Sequence, residues 1–115
     1  MDADEREAYV EAVLSLVESI PPGRVMAYGS VADAVGRGGP RQVGAVMSTY
    51  GSGVPWWRVV RVDGTLPQCH QRRALESYRV EGTPLRGAAA GLVGETRVDM
   101  REAVWDPVTA GSECT

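Results

Sequence analysis

The stretch Val54-Pro55-Trp56-Trp57-Arg58-Val59-Val60 sets two indoles side by side between a proline and an arginine. An indole nitrogen donates a hydrogen bond and has no usable lone pair, so neither tryptophan can act as a nucleophile or a base. What Trp56 and Trp57 offer is a broad aromatic surface. A second group lies just upstream. Arg41, Gly44, Ala45 and Ser48 recur at helical spacing, which sets one long cation above three small residues. Small side chains let a helix approach another backbone closely, and a neighbouring helix satisfies that pattern as well as any other partner. A third group is Cys69 beside His70, a thiol next to an imidazole, the residue types from which an activated nucleophile is made. Adjacent residues of an extended chain point to opposite sides, and two neighbouring ligands do not make a coordination shell. The pair reads as part of an exposed loop, and no metal or cofactor site is expected.

These residues lie in a chain of 115 residues with formal charge −3, enough for one compact domain spanning 1–115 with a frayed tail over about 107–115. No apolar run has membrane-spanning length. The acidic opening Met1-Asp2-Ala3-Asp4-Glu5 has no signal-peptide pattern, and a cytoplasmic protein is expected. Cys69 and Cys114 are too few and too isolated for a disulfide scaffold. The charge is unevenly placed. From Pro21 to Val80 there are eight arginines and three acids, while the first twenty residues hold six acids and one arginine. A basic middle between acidic ends fits a face that binds a polyanion, and it fits a solvated mixed-charge surface equally well.

The elements that must position these side chains follow from periodicity. Tyr9, Val13, Leu16, Val17 and Ile20 form the apolar stripe of a first helix, stopped before Pro21-Pro22-Gly23. Arg24 to Tyr28 reads as a brief strand. Ser30 with Asp33 three residues on is a capping-box pattern for a second, short helix that ends at Gly36. After a glycine-rich turn, Pro40 suits the first position of a third helix. Val43, Val46, Met47 and Tyr50 form its core face, opposite Arg41, Gly44, Ala45 and Ser48. Gly51-Ser52-Gly53 is a flexible connector. Arg58 to Leu66 reads as a strand, an Asp63-Gly64 turn and a return strand. Gln71 to Glu81 is a fourth helix ended by Gly82. The Gly/Ala-rich stretch from Arg86 to Glu95 is a loop, and Thr96 to Pro107 returns as a short apolar segment anchored by Trp105. The expected fold is mostly α with a small β-hairpin, ordered as a winged helix-turn-helix DNA-binding domain.

Several motifs in this order resemble the O6-alkylguanine-DNA alkyltransferases. Their active-site signature reads Pro-Cys-His-Arg-Val, and Pro55, Arg58 and Val59 match it. Trp56 stands where the family has its nucleophilic cysteine, and Trp57 where it has the activating histidine. Ile20 to Gly36 resembles the family's helix-turn-helix entry, and Arg41 to Met47 its recognition helix. The likeness is stronger still to the alkyltransferase-like proteins, short homologues that carry tryptophan in place of the cysteine. It reaches into the C-terminal half through Leu66-Pro67, Gln71 to Leu75, Glu81-Gly82 and Val98 to Trp105.

The resemblance implies a function and a set of residues. Tyr28 matches the tyrosine that crowds the 3′ phosphate and helps rotate the target nucleotide outward. Arg41 matches the arginine finger that enters through the minor groove and fills the gap. Gly44, Ala45 and Ser48 let the helix sit in that narrow groove. Met47, Val54, Pro55, Trp56 and Trp57 are expected around the damaged base, Trp57 either closing the pocket or facing away beneath the wing. Arg72 and Arg73 are candidates for an arginine that relatives place over the modified base. The implied protein is a monomeric sensor that binds duplex DNA containing O6-alkylguanine, flips the base, transfers nothing and hands the site to nucleotide excision repair. Two alternatives belong to other classes. One is an active alkyltransferase using Cys69. The other is a winged-helix regulator that reads sequence, although the exposed face of the third helix carries little that could read base edges.

Overall fold

The computed structural model describes residues 2–66, 70–87 and 96–107. Helix α1 (Ala3–Ser19) opens where the Asp2 carboxylate accepts from Glu5 N at 2.8 Å, with Asp4 and Glu5 at the positive end of its dipole. It buries Tyr9, Val13 and Val17, and the stripe continues into buried Ile20, whose extended backbone leads into Pro21. Strand β1 (Met26–Ala27) turns directly into α2 (Tyr28–Val35). That helix starts at Tyr28, with Ala27 as its cap and no side-chain cap bond. The Ser30–Asp33 capping box expected from sequence is therefore absent. Ser30 lies inside the first turn because α2 starts directly from β1 at Tyr28, with Val31 and Ala32 buried. Gly36 ends α2 in the left-handed conformation, as expected.

Helix α3 (Pro40–Tyr50) follows with Pro40 at its start and Gln42 accepting from Gly39 N at 2.9 Å. Val43 and Val46 are buried, whereas Tyr50 is half exposed rather than core. Met47 lies against buried Gly51, where a Cβ would come within 3.2 Å of its terminal methyl. The Gly51–Gly53 connector is itself one 3-10 turn, and a second 3-10 turn spans Trp56–Arg58. Next come β2 (Val59–Val60), α4 (Gln71–Glu81), β3 (Leu85–Arg86), β4 (Arg97–Val98) and α5 (Met100–Ala103). Gly82 closes α4 in the left-handed conformation.

The mostly helical architecture is as expected, but the hairpin over Arg58–Leu66 is not. β2 pairs parallel with β1, Met26 opposite Val59 and Ala27 opposite Val60. Parallel neighbours need a long crossover, and α2 with α3 supplies it. Val59 and Val60 are both fully buried, which marks a strand covered on both faces rather than one side of a hairpin. The Asp63-Gly64 turn does form. Asp63 Oδ1 accepts from Thr65 N at 2.9 Å, and Gly64 N bonds Arg61 O at 2.8 Å. Beyond it, Thr65 bridges Arg97, and β3 pairs antiparallel with β4. Gly64 has φ +84°, and a Cβ there would lie 2.2 Å from the Val98 carbonyl oxygen, so the approach requires glycine.

The buried side chains form two clusters. One lies among α1, α2 and α3 and includes Val54, with Trp105 packed against it. Trp105 N also bonds Val25 O at 2.8 Å, the anchoring expected of that residue. The other joins Val60, Leu66, Tyr78 and Val98, with Trp56 and Trp57 against it. The loop expected over Arg86–Glu95, except Arg86 and Gly87, and the tail from 108 onward lie outside the described residues, as does Cys69.

Candidate nucleic-acid interface

Val54 anchors the segment that presents Trp56. Its side chain is buried in the first cluster, and its carbonyl accepts from Trp56 N at 2.7 Å. Arg58 N bonds Pro55 O at 3.0 Å, which closes the 3-10 turn. Short turns of this kind hold a side chain at a fixed angle to the core. Trp56 is half-buried, packed against the second cluster on one side and open to a cleft on the other.

That cleft has a volume of about 890 Å³ and lies between α3, the start of α2, the turn after β2 and the start of α4. Tyr28, Arg41, Gly44, Met47, Ser48 and Trp56 line it, so six of the ten residues picked from the sequence meet at one place. Ala45 is exposed on α3 without lining it. Val54, Pro55 and Trp57, grouped with the pocket by their place in the motif, lie behind its wall. The first two fix the turn. Trp57 points away because its indole is claimed elsewhere: Nε1 donates to Glu81 Oε1 at 2.9 Å. Its ring meets Trp56 edge-on, centroids 5.6 Å apart and planes at 85°.

Glu81 ties three segments together. Its carboxylate accepts from Arg58 Nε and Nη2, from Trp57 Nε1 and from Gly23 N. Arg58 Nη1 also donates to Ile20 O at 2.9 Å, and Tyr78 OH donates to Trp57 O. The paired side chains are only 13% and 10% exposed. Burial alone pushes the Glu81 carboxyl pKa up, but the bonds from Arg58, Gly23 N and Trp57 outweigh it and hold the pKa below the usual value. Tyr78 is pushed well above the ordinary tyrosine range, chiefly by burial. No local spacing pattern announces this network, because Glu81 is distant from Trp57 in the chain and the fold alone brings them together.

The cleft also holds residues that the sequence reading passed over. Arg61, Thr65 and His70 line it, and of the two candidate arginines on α4 it is Arg73, not Arg72, that does so. His70, set aside as a loop residue, is exposed, yet its ring lies 5.7 Å from that of Trp56, tilted by 58°. The turn that brings Arg61 and Thr65 here depends on pairing with β4, which a local reading cannot supply. The result is electropositive: Arg41, Arg61 and Arg73 face the cleft, and no carboxylate lines it among the described residues. Burial raises the Tyr28 hydroxyl pKa, while the nearby Arg61 charge pulls it down by less. Hydrogen-bond donors, an aromatic face and three guanidinium groups suit an anionic, aromatic ligand. Among the described residues there is no cluster of three or more His, Cys, Asp or Glu that could hold a metal, and no helix is long and apolar enough to cross a membrane.

A mostly helical domain with a basic, aromatic cleft at its third helix defines a class of nucleic-acid-binding protein. The particular family follows from comparison with known proteins. The chain belongs to the family of the 6-O-methylguanine DNA methyltransferase DNA-binding domain, whose model matches residues 8–81. It is 29% identical over 110 residues to the DNA base-flipping protein of Escherichia coli (strain K12), covering 90% of this chain and 78% of that one. Among solved structures it resembles S. pombe Atl1 in complex with damaged DNA containing O6-carboxymethylguanine. The TM-score is 0.74 and the identity 30%, covering 93% of this chain and all of that one (100%). The Mycobacterium tuberculosis O6-methylguanine methyltransferase matches with a TM-score of 0.53 and 27% identity, over 70% of this chain and 50% of that protein.

Proposed function

We propose that this protein recognises O6-alkylguanine in duplex DNA, approaches through the minor groove, and takes the damaged base into the cleft beside Trp56 without transferring the alkyl group. The observation that carries the reading is the cleft itself, where one face of Trp56 stands open among Arg41, Arg61 and Arg73. A base leaving the duplex loses its stacking and pairing, a cost of a few kcal/mol that is smallest at a damaged base. Stacking on an aromatic face returns on the order of 1–3 kcal/mol. In this reading Tyr28 crowds the phosphate of the rotated nucleotide and Arg41 fills the vacated position; both line the cleft. Gly44 and Ser48 keep the α3 surface low enough for close approach to the groove. Met47 lines the cleft near the base.

Alkyl transfer needs a thiolate or a comparable nucleophile with an activating partner. Position 56 is an indole with no lone pair to accept the group, and the indole of Trp57 is a donor already committed to Glu81. The protein therefore holds the lesion, and holding is useful where another repair system acts on the marked site. Nucleotide excision repair is that system in this reading. Support comes from relatives named for base flipping and from the likeness to a protein solved on damaged DNA.

The test is equilibrium binding to a short duplex with one O6-methylguanine against the same duplex with guanine, at fixed near-physiological salt. The mass of the recovered protein is measured in the same samples. Preference for the lesion with unchanged mass supports the reading, and Trp56→Ala and Arg41→Ala weaken that preference. Equal binding to both duplexes refutes it and favours a sequence-reading domain. A gain in mass by one methyl group refutes it in favour of transfer to Cys69.

A further inference from the structure

A row of side chains runs outward from the cleft. Thr65 lines the cleft and bridges Arg97, and Arg97 stands directly opposite Arg86 in the β3–β4 ladder. Residues directly opposite across antiparallel strands point to the same face. Thr65, Arg97 and Arg86 therefore share one face of three neighbouring segments, with Thr65 at the cleft. The next pair, Leu85 opposite Val98, points the other way, into the second cluster, where Val98 is fully buried. The arginine face of the ladder is the solvent face, and both arginines are exposed. Two guanidinium groups set opposite each other repel, which costs stability in the free protein. Among the described residues neither arginine is in an ion pair. Asp63 feels the charge of Arg97, but its carboxylate accepts from Thr65 N and Oγ1 at 2.9 and 2.5 Å. The row thus continues the positive charge of Arg41, Arg61 and Arg73 beyond the cleft.

We propose that Arg97 and Arg86 hold the phosphate backbone of the same duplex to one side of the flipped nucleotide, so that the β3–β4 ladder is a second DNA contact outside α3 and the cleft. This deepens the damage-recognition reading and rests on it for the placement of the duplex. The reach follows from strand spacing. Neighbouring strands lie about 4.8 Å apart, which sets Arg86 about 10 Å from Thr65. Phosphates of one DNA strand advance about 3.4 Å along the axis, so the contacted groups lie about three nucleotides from the flipped one. A phosphate between the two guanidinium groups accepts charge-assisted hydrogen bonds from both and removes their repulsion. Phosphate contacts position a duplex and carry no information about its bases. These two arginines therefore strengthen binding to damaged and undamaged DNA alike, while the cleft supplies the preference.

The experiment uses Arg86→Gln and Arg97→Gln, which keep much of the side-chain stem and remove the charge, with Arg86→Lys and Arg97→Lys as controls that keep it. Affinities for the O6-methylguanine duplex and for the guanine duplex are measured over a series of salt concentrations. Each Gln variant lowers the slope of log affinity against log salt by about 0.9, and the double Gln variant by about 1.8. The Lys variants keep the slope, and the ratio of the two affinities is unchanged throughout. The contact is then located with duplexes in which single phosphates, roughly two to four nucleotides from the lesion, are replaced by uncharged methylphosphonate. At the contacted position the replacement weakens binding of the unaltered protein and has no further effect on the double Gln variant. An unchanged slope in both Gln variants overturns the proposal. So does a methylphosphonate series that weakens the unaltered protein and the double Gln variant equally at every position, because the charges then act on the duplex only from a distance. A fall in the affinity ratio with the slope unchanged also overturns it, by assigning the arginines to the lesion. If the unaltered protein binds both duplexes equally, the damage-recognition reading fails by itself, and the slope on the guanine duplex still decides whether Arg86 and Arg97 hold phosphates.

Discussion

Glu81→Ala is the substitution with the most to lose. It leaves the Arg58 guanidinium, 13% exposed, without its counter-charge, and strands two donors, Trp57 Nε1 and Gly23 N. Breaking a buried ion pair by removing one partner costs about 3–5 kcal/mol, because the remaining charge stays out of water uncompensated. Arg58 keeps its bond to Ile20 O, and Trp57 and Gly23 are only partly buried, so the lower end applies: about 3 kcal/mol. For a chain of this size, about 4 °C of melting temperature is lost per kcal/mol, giving a drop of about 12 °C. The assay is urea unfolding followed by circular dichroism, with thermal melting alongside. The double variant Arg58→Met with Glu81→Met is the control. It removes both charges, refills the volume with apolar atoms, and recovers much of the loss. A loss below about 1 kcal/mol, the value of an exposed pair, would refute the account of Glu81 as a buried hub.

Acid supplies an independent handle on the same carboxylate. Its pKa is lowered in the fold, so its contribution is present above the unfolded value of about 4.3 and is lost as pH falls through the folded value. Stability measured by urea unfolding therefore declines below about pH 4, and Glu81→Gln flattens that decline. The tyrosines behave oppositely. Tyr78 and Tyr28 have raised pKa values, so the stability they contribute is present below the unfolded value of about 10 and is lost as pH rises above it. Alkaline unfolding monitored by phenolate absorbance checks this. Gly64→Ala places a Cβ 2.2 Å from Val98 O at a positive φ, and it destabilises by about 2 kcal/mol or more by chemical unfolding. Replacing Arg41, Arg61 or Arg73 by alanine lowers the slope of log affinity against log salt by about 1 wherever that arginine neutralises a phosphate.

How far each feature could be read in advance depended on its range along the chain. Helices α1 and α3 announced themselves through apolar stripes, with a stop at Pro21 and a start at Pro40, and α4 through its stop at Gly82, because helical bonds and caps connect residues within a turn or two. Tyr28, Arg41, Gly44, Met47, Ser48 and Trp56 were picked from motif order, and the fold gathers them around one cleft. The hairpin failed for the opposite reason. A run of β-branched residues before Asp63-Gly64 fits a strand in any pairing, and only packing decided that Val59 and Val60 join Met26 and Ala27.

By itself, then, the amino-acid sequence determined the local chemistry. It set two indoles side by side after Pro55, and a cation above small residues on one helix face. Tertiary structure decided what surrounds that chemistry. It brought Arg61, Thr65, His70 and Arg73 to the cleft from separate segments, and it turned Trp57 away from the cleft. The physical reason is that side-chain type and short-range periodicity are written along the chain. The partner of a buried polar group is chosen by whichever distant residue folding delivers to it, and for Trp57 that residue is Glu81.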